Sequence, residues 1–267
     1  MTGAESGSAS KKGELVLVGT GIQYGRHITQ RAISEIEYAD VVFCLADGLA
    51  MSLVAKLRPD MISLAGFYGD GKDRRQTYRE MDEAIMTEVR AGHKVCAVFY
   101  GHPGVFADVP HVTMGKARAE GHQARMEPGI SAEACLYADL GIDPGKRGVH
   151  SFEATHFLIY DRRIDPCGLL ILWQVALCGD LSCTRFDAVP ERLALLVEKL
   201  KRWYAPETEV ILYEACQLPI GTFRADRMRL DELPTASYQE YTTLVIPPAR
   251  ELAEDSGILN AVRELNA

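Results

Sequence analysis

The stretch VCAVFYGHPGVFADVPH, residues 95–111, begins as an unbroken apolar run and is then interrupted by Gly101, His102, Pro103 and Gly104 in succession. No polar residue alternates with the apolar ones in its first half, as expected of a strand buried on both faces. The second half removes side chains from the backbone just where that strand ends. Gly and Pro are the ordinary punctuation of turns. In open α/β sheets, however, the carboxyl ends of strands are also where ligands collect. The stretch therefore predicts a parallel sheet, with an ordinary turn or a close ligand approach as the two readings of the glycines.

Outward from it the pattern repeats. ELVLVG (14–19) runs into TGIQYG, and DVVFCL (40–45) runs into Ala46, Asp47 and Gly48. Between these runs, HITQRAISEIEYA (27–39) spaces Ile28, Ala32, Ile36 and Ala39 as one helical face. RRQTYREMDEAIMTEVRAG (74–92) does the same with Met81, Ile85 and Val89, ahead of a C-terminal Gly92. The helix VPHVTMGKARAEG (109–121) and the short strand HQARME (122–127) follow. Strand and helix alternate, so this half predicts a mostly parallel sheet covered by helices. The texture changes around residues 130–150. Beyond it THFLIYD (155–161), GLLILWQVA (168–176), EVILYEA (209–215) and YTTLVIPP (241–248) read as strands, and ERLALLVEKLKRWY (191–204) reads as a helix. Strands outnumber helices there, which predicts a mixed sheet. The expected organisation is a flexible tail over 1–13, an α/β lobe over 14–130, a second α/β lobe over 131–250, and a helical extension over 251–267.

A chain of 267 residues with 47% hydrophobic and 25% charged residues buries a sizeable core. Its net charge of −8 and pI near 5.4 argue against nucleic acid or anionic membrane as partners. No run suits a membrane span, and the opening MTGAESGSASKKG has no apolar segment of a secretory signal. The seven cysteines are scattered, without C-x-x-C, and H-E-x-x-H is absent. A reduced, cytoplasmic protein without a metal site is expected.

Two nucleotide motifs are tested and fail. The dinucleotide pattern G-x-G-x-x-G would need glycine at 24, where Tyr24 stands, and the phosphate loop G-x-x-x-x-G-K-[ST] does not occur. A less phosphorylated nucleoside ligand fits better. In GFYGDGKDRRQTYREM (66–81), Arg74 and Tyr78 lie four apart and share a helix face if Asp73 is the N-cap. A solvated helix end with a cation on an aromatic ring explains the same residues without any chemistry.

Taken in order, LVGTG (17–21), YGHPGVF (100–106), EPGISAEA (127–134), LLILWQ (169–174) and TTLVIPP (242–248) resemble the tetrapyrrole methylase-type, or class III, S-adenosylmethionine-dependent methyltransferases, over residues 14–250. Members acting on porphyrin-like rings carry a first loop similar to G-x-G-P-G-D and a later G-D-P. Here GTGIQYG and GHPG stand instead. With FYG (67–69), DRRQTYREM (73–81) and EPGISAEACLYADLGIDPG (127–145), they are similar to the borosin peptide backbone α-N-methyltransferases, in the split bacterial form. Fungal members are fused to their substrate peptide, whereas here ARELAEDSGILNAVRELNA (249–267) offers no apolar core peptide.

The resemblance implies a tetrapyrrole methylase-like fold of two α/β lobes, with the cofactor cleft between them. It implies S-adenosylmethionine as cofactor, S-adenosylhomocysteine as product, and a separate precursor peptide as substrate. A homodimer is implied, extending to a heterotetramer with two precursor chains. Catalytic roles are implied for Tyr68, Arg74 and Tyr78, with Arg75 left open as the alternative to Arg74. Cofactor contacts are implied from Tyr100, His102, Val105, Phe106, Gln174, Thr242 and Thr243, and by extension from Ser131, Ala132, Tyr213 and Ala215. On this reading GHPG clears room for the methionine and ribose parts of the cofactor. Arg74 and a tyrosine would stabilise the imidate oxygen of a deprotonated amide, and Tyr68 or Tyr78, favoured as an anion by the guanidinium, would be the base. The rival readings are a methyltransferase of corrin or porphyrin precursors, which the first and third loops disfavour, and a catalytically silent S-adenosylmethionine-binding partner, which would have no use for Tyr68, Arg74 and Tyr78.

Overall fold

Leu15, Val16, Leu17 and Val18 are all fully buried, which fixes the strand they form as the middle of a sheet covered on both faces. The computed structural model describes residues 12–69, 71–185 and 187–267, so the expected tail lies outside the described residues up to residue 11. The strand is β1 (Glu14–Gly19). With β2 (Val41–Leu45), β3 (Ile62–Ser63), β4 (Lys94–Phe99) and β5 (Gln123–Met126) it makes a sheet of order β3-β2-β4-β1-β5. Every pairing between these strands is parallel, as the apolar runs predict.

Alternate side chains of β1 enter opposite cores, the direct result of a strand's two-residue period. Leu15 and Leu17 join Met81, Ile85, Met86 and Val89 of α3 (Arg74–Arg90) and Val109 and Ala117 of α4 (Asp108–Ala119). Val16 and Val18 join Ala32 and Ile36 of α1 (Gln30–Glu37) and Val54 of α2 (Gly48–Leu57). α2 escapes the sequence reading, which took Asp47 and Gly48 as a ligand turn. Asp47 is its N-cap, and Oδ1 accepts from the amides of Leu49 and Ala50, both at 2.9 Å.

Glu35 of α1 carries a buried charge among three cations. Its side chain is 5% exposed and meets Arg31 Nη2 at 2.8 Å, Arg125 Nη2 at 2.9 Å and Lys94 Nζ at 3.1 Å. Burial alone would raise its pKa, but Lys94 and Arg125 outweigh it and hold the carboxyl below the usual range. The stability it contributes is therefore present above the unfolded glutamate value of ~4.3 and is lost as pH falls through the lowered folded value. Glu35→Ala is expected to cost about 2 kcal/mol at neutral pH. Urea midpoints at neutral and acid pH check it, and the gap between wild type and variant narrows on acidification.

α5 (Ala132–Leu140) follows β5 and ends at Gly141, which takes the left-handed conformation at φ +66°. The compact units divide there, where the sequence reading puts residue 130: the first runs to Gly141 and the second begins at Ile142. The first unit also takes in Leu181–Arg185 and Ala215–Phe223 from later in the chain.

The second unit opens with α6 (Pro144–Arg147) and β6 (Val149–Glu153), then α7 (Ala154–Ile159), β7 (Leu169–Trp173), α8 (Pro190–Leu200), β8 (Glu209–Glu214), β9 (Arg224–Arg229) and β10 (Thr243–Ile246). The sheet order is β6-β7-β10-β8-β9. β6 pairs with β7 in parallel and the other pairings are antiparallel, the expected mixed sheet. Leu170 and Leu172 pack on Leu193, Leu196, Val197 and Leu200 of α8. α9 (Ser256–Leu265) lies in the expected helical extension.

THFLIYD is not the strand its apolar run suggested. It begins within α7, because both helix ends are capped by side chains from outside the run. Glu153 Oε2 accepts from the His156 amide at 2.7 Å. The buried Lys199 Nζ donates to the carbonyls of Phe157 (2.6 Å), Leu158 (3.0 Å) and Tyr160 (2.5 Å). Those donors satisfy orphan carbonyls that a one-and-a-half-turn helix leaves open.

Candidate functional site

Beyond β1 and β4 the backbone closes on itself. Gly21 and Gly101 exchange two main-chain hydrogen bonds, both of 3.1 Å. Gly101 has φ +67°, and a Cβ on Gly19 would overlap its carbonyl oxygen. A Cβ on Gly104 would come within 2.5 Å of Met126 Sδ. Gly19 and Gly101 thus answer to the main chain around them, whereas Gly104 meets only the movable Met126 thioether closely.

His102 completes this turn: Nδ1 accepts from the Gly104 amide at 2.9 Å, and its carbonyl accepts from Val105 at 3.2 Å. Burial lowers the pKa of its imidazole. Tyr100, partly buried, donates its amide to Leu45 at 3.1 Å. Phe106 takes φ +52° with its ring 47% exposed. A phenylalanine held in that region costs of order 1 kcal/mol or more, the kind of strain that clusters at functional sites. Ser131 is the N-cap of α5, with Oγ accepting from the Ala134 amide at 3.1 Å, and Ala132 is the first residue of that helix.

The tyrosine and arginine cluster forms within the first unit. Tyr68 follows a short 3-10 turn (Ala65–Phe67) and is 39% exposed. α3 begins at Arg74 with Asp73 as N-cap, so Arg74 and Tyr78 share one face. The hydroxyls of Tyr68 and Tyr78 share a hydrogen bond. Burial raises the pKa of Tyr78 and outweighs both that bond and the Arg74 charge, so the net shift is upward. This corrects the expectation that the guanidinium favours the anion on balance. Arg75 is held by its own cap, with Nε 2.9 Å from Asp73 Oδ1 and Nη2 2.7 Å from Oδ2. Arg74 is the arginine that acts electrostatically on Tyr78. Its amide donates to the Cys183 carbonyl at 3.1 Å and its Nη1 to the Arg185 carbonyl at 2.7 Å. No sequence signal marked this segment, because neither residue is a glycine, a proline or part of a periodic run.

In the second unit Gln174, exposed and with φ +54°, ends β7. Thr242 is fully buried and its polar groups are spent within the protein. Oγ1 donates to Glu214 at 2.6 Å and accepts from the Gln239 amide at 2.8 Å, while its carbonyl accepts from Val175 at 3.1 Å and its own amide donates to Gln239 at 3.0 Å. Tyr213 and Thr243 are buried partners across β8 and β10. Ala215 belongs with the first unit. A shallow depression, lined in part by Thr20, Ile22, Tyr24, Leu49, Leu53 and Gln217, opens beside the β1 loop. Among the described residues no group of three or more His, Cys, Asp or Glu is placed to hold a metal, and no helix is long and apolar enough to cross a membrane.

The family profile of the tetrapyrrole (corrin/porphyrin) methylases matches residues 14–224. The chain belongs to this family. As a tetrapyrrole methylase it is 37% identical, over 98% of its length, to the methyltransferase/ribosomally synthesized cyclic peptide dendrothelin A precursor of Dendrothele bispora. It is 36% identical, again over 98%, to the corresponding omphalotin A precursor of Omphalotus olearius. The chain spans 64% of the length of each of these two relatives. In fold it resembles the uroporphyrin-III-C-methyltransferase of Thermus thermophilus, with TM-score 0.61, 20% identity and coverage of 92% of this chain and 99% of that one. It also resembles a cobalt precorrin-4 methyltransferase, with TM-score 0.63, 17% identity and coverage of 88% and 94%. The α/β fold expected from the motif order is the fold of these enzymes.

Proposed function

We propose that this methylase transfers methyl groups from S-adenosylmethionine to backbone amide nitrogens of a ribosomally made precursor peptide presented as a separate chain. The observation that carries the proposal is the grouping of Tyr68, Tyr78 and Arg74 at the start of α3. The names of the relatives, which join a methyltransferase to a cyclic peptide precursor, support a peptide over a corrin ring.

The residues present fit the cofactor chemically. An adenosine needs a flat apolar surface and an amide-like partner, and Phe106 and Gln174 expose a ring and a carboxamide, each from a strained backbone. Tyr100, His102, Val105, Ser131 and Ala132 would hold it from the first unit, with Ala215. Gln174, Tyr213, Thr242 and Thr243 of the second unit are proposed as further cofactor contacts, Thr242 through packing since its hydrogen bonds are committed. Bound there, S-adenosylmethionine supplies a methyl on a cationic sulfur, which departs as a neutral thioether.

The difficulty lies with the peptide nitrogen, whose lone pair is delocalised into its carbonyl. Arg74 donates to the amide oxygen and stabilises the imidate that forms when the N–H proton leaves. The proton passes to Tyr78 in its tyrosinate form, which arises at raised pH by loss of the Tyr78 proton through the exposed Tyr68 to solvent. Because burial keeps Tyr78 protonated, turnover should rise with pH on a limb above the ordinary tyrosine value of ~10. A pH profile of kcat checks this. Tyr78→Phe removes the limb, and a limb that survives assigns the base elsewhere.

Two copies of the chain would form the working enzyme, in the cytoplasm, and light scattering reads the first of these. The deciding experiment incubates purified protein with methyl-labelled S-adenosylmethionine and a candidate precursor, then locates label by tandem mass spectrometry. Label on backbone nitrogens of the added peptide supports the reading. Bound cofactor with no label on any peptide overturns it in favour of a ring substrate or a silent binder.

A further inference from the structure

Arg74 is gripped at both ends by one short piece of chain. The first amides of a helix have no partner within it. Asp73, the cap, takes the Arg75 amide at 2.9 Å, while the Arg74 amide goes to the Cys183 carbonyl at 3.1 Å. The guanidinium of the same residue donates to the Arg185 carbonyl, two positions further on, at 2.7 Å. Backbone and head group are thus fixed by two carbonyls of the segment Leu181–Arg185, which folds with the first unit although it lies within the second unit's sequence.

The segment is itself held in a costly shape. Cys183 has φ +57°, the left-handed region that a non-glycine residue seldom occupies. On either side of it, Ser182 Oγ and Thr184 Oγ1 lie 2.8 Å apart and hydrogen-bond, bracing the turn. Strain of this kind persists only where surrounding contacts over-determine it. A carbonyl also grips a guanidinium through a partial charge alone, so this grip places no opposing full charge beside Tyr78.

We propose that Leu181–Arg185 is a positioning strap: the left-handed turn at Cys183 aims two carbonyls at Arg74 and thereby sets where its guanidinium stands relative to Tyr78. The proposal rests on the reading that Arg74 and Tyr78 take part in the chemistry, and it assigns the strap's hold on Arg74 to backbone shape, the thiol's own influence on Tyr78 being removed alike in every Cys183 variant. The groups acting on Tyr78 are Tyr68 from the preceding loop, Arg74 from its own helix, Asp108 from α4 and Cys183 from the strap. Of these Arg74 favours the tyrosinate, while Asp108 and Cys183 oppose it. Displacing Arg74 should therefore raise the pH at which Tyr78 ionises.

The test compares Cys183→Gly and Cys183→Asn, which tolerate the left-handed turn, with Cys183→Val, which does not. Tyr78 ionisation is read by ultraviolet difference titration against Tyr78→Phe, and kcat and the KM for S-adenosylmethionine are measured alongside. Cys183→Val is expected to raise the Tyr78 midpoint and to lower kcat about tenfold at unchanged KM, since small misplacements of a reacting geometry cost up to roughly a hundredfold. The Gly and Asn variants should remain within about twofold of wild type, as the turn is kept. If Cys183→Val does not fold, the double variant Ser182→Ala with Thr184→Val, which removes only the brace, should move the same readouts in the same direction. An unmoved midpoint in a folded variant overturns the strap, as does equal loss in the Gly and Val variants. A midpoint that moves while kcat stays constant upholds the strap and sinks the catalytic reading of Tyr78 instead.

Discussion

Arg74→Ala is expected to lower turnover by about two to three orders of magnitude while leaving affinity for S-adenosylmethionine unchanged. The expectation follows from a donor placed on the face of Tyr78 and held by the Arg185 carbonyl at 2.7 Å. Such a donor acts on charge that develops only as the amide gives up its proton, so its loss falls on kcat. Arg74→Lys keeps the charge but not the planar fork, and should fall between. Arg75→Ala is the internal control. Its side chain is committed to Asp73 at the helix cap, and turnover should stay within about twofold of wild type, as for other exposed ion pairs of small energetic weight. Methyl-transfer rates with isothermal titration of the cofactor check all three. Loss in Arg75→Ala with Arg74→Ala unimpaired would reverse the assignment.

Gly19→Ala should be strongly disruptive in the first unit. Gly19 is the last residue of β1, and its Cβ would overlap the Gly101 carbonyl oxygen and lie 2.9 Å from Pro103 Cδ. That carbonyl cannot yield cheaply, because it accepts from the Gly21 amide in the reciprocal pair of 3.1 Å bonds. A cost of about 3 kcal/mol is expected, at the upper end for overpacking. In a unit of this size that lowers Tm by roughly 10 °C. Gly25→Ala supplies the contrast. Gly25 has φ +68° but nothing within reach of a Cβ, so only the conformational cost of about 1 kcal/mol remains. Thermal unfolding of the two variants side by side measures the difference between collision and conformation.

What could be read from the sequence followed from burial. Strands covered on both faces, such as 14–19 and 94–99, show themselves as unbroken apolar runs, and α3 shows itself through Met81, Ile85 and Val89. β9, Arg224–Arg229, has no such signature: it lies at the sheet edge, where Arg224 and Arg227 pair with Glu214 and Glu209 across β8. Edges are where charge is tolerated and apolar alternation is lost. α7 was hidden in part because its C-terminal carbonyls are satisfied by Lys199, far away in sequence. The site was legible in the same partial way. Helical spacing joined Arg74 to Tyr78, but the pairing of Arg75 with the Asp73 cap was not legible. Thr242 was named only through the resemblance, and no spacing showed that Glu214 and Gln239 take up its hydroxyl. GHPG read as a turn or a ligand approach, and its pairing with Gly21 was not visible in either reading.

The strap also bears on the order in which the molecule can be made. Chains emerge from the ribosome amino end first, and α3 is complete long before Arg185 is added. Until then the amide and guanidinium of Arg74 lack the two carbonyls that hold them. Such pairing of distant segments comes late, since the intervening loop must be closed before the contact repays it. On the proposed chemistry, competence to react is thereby deferred until much of the second unit's sequence has been synthesised, and a ribosome that stalls early releases a fragment without the carbonyls that aim its arginine.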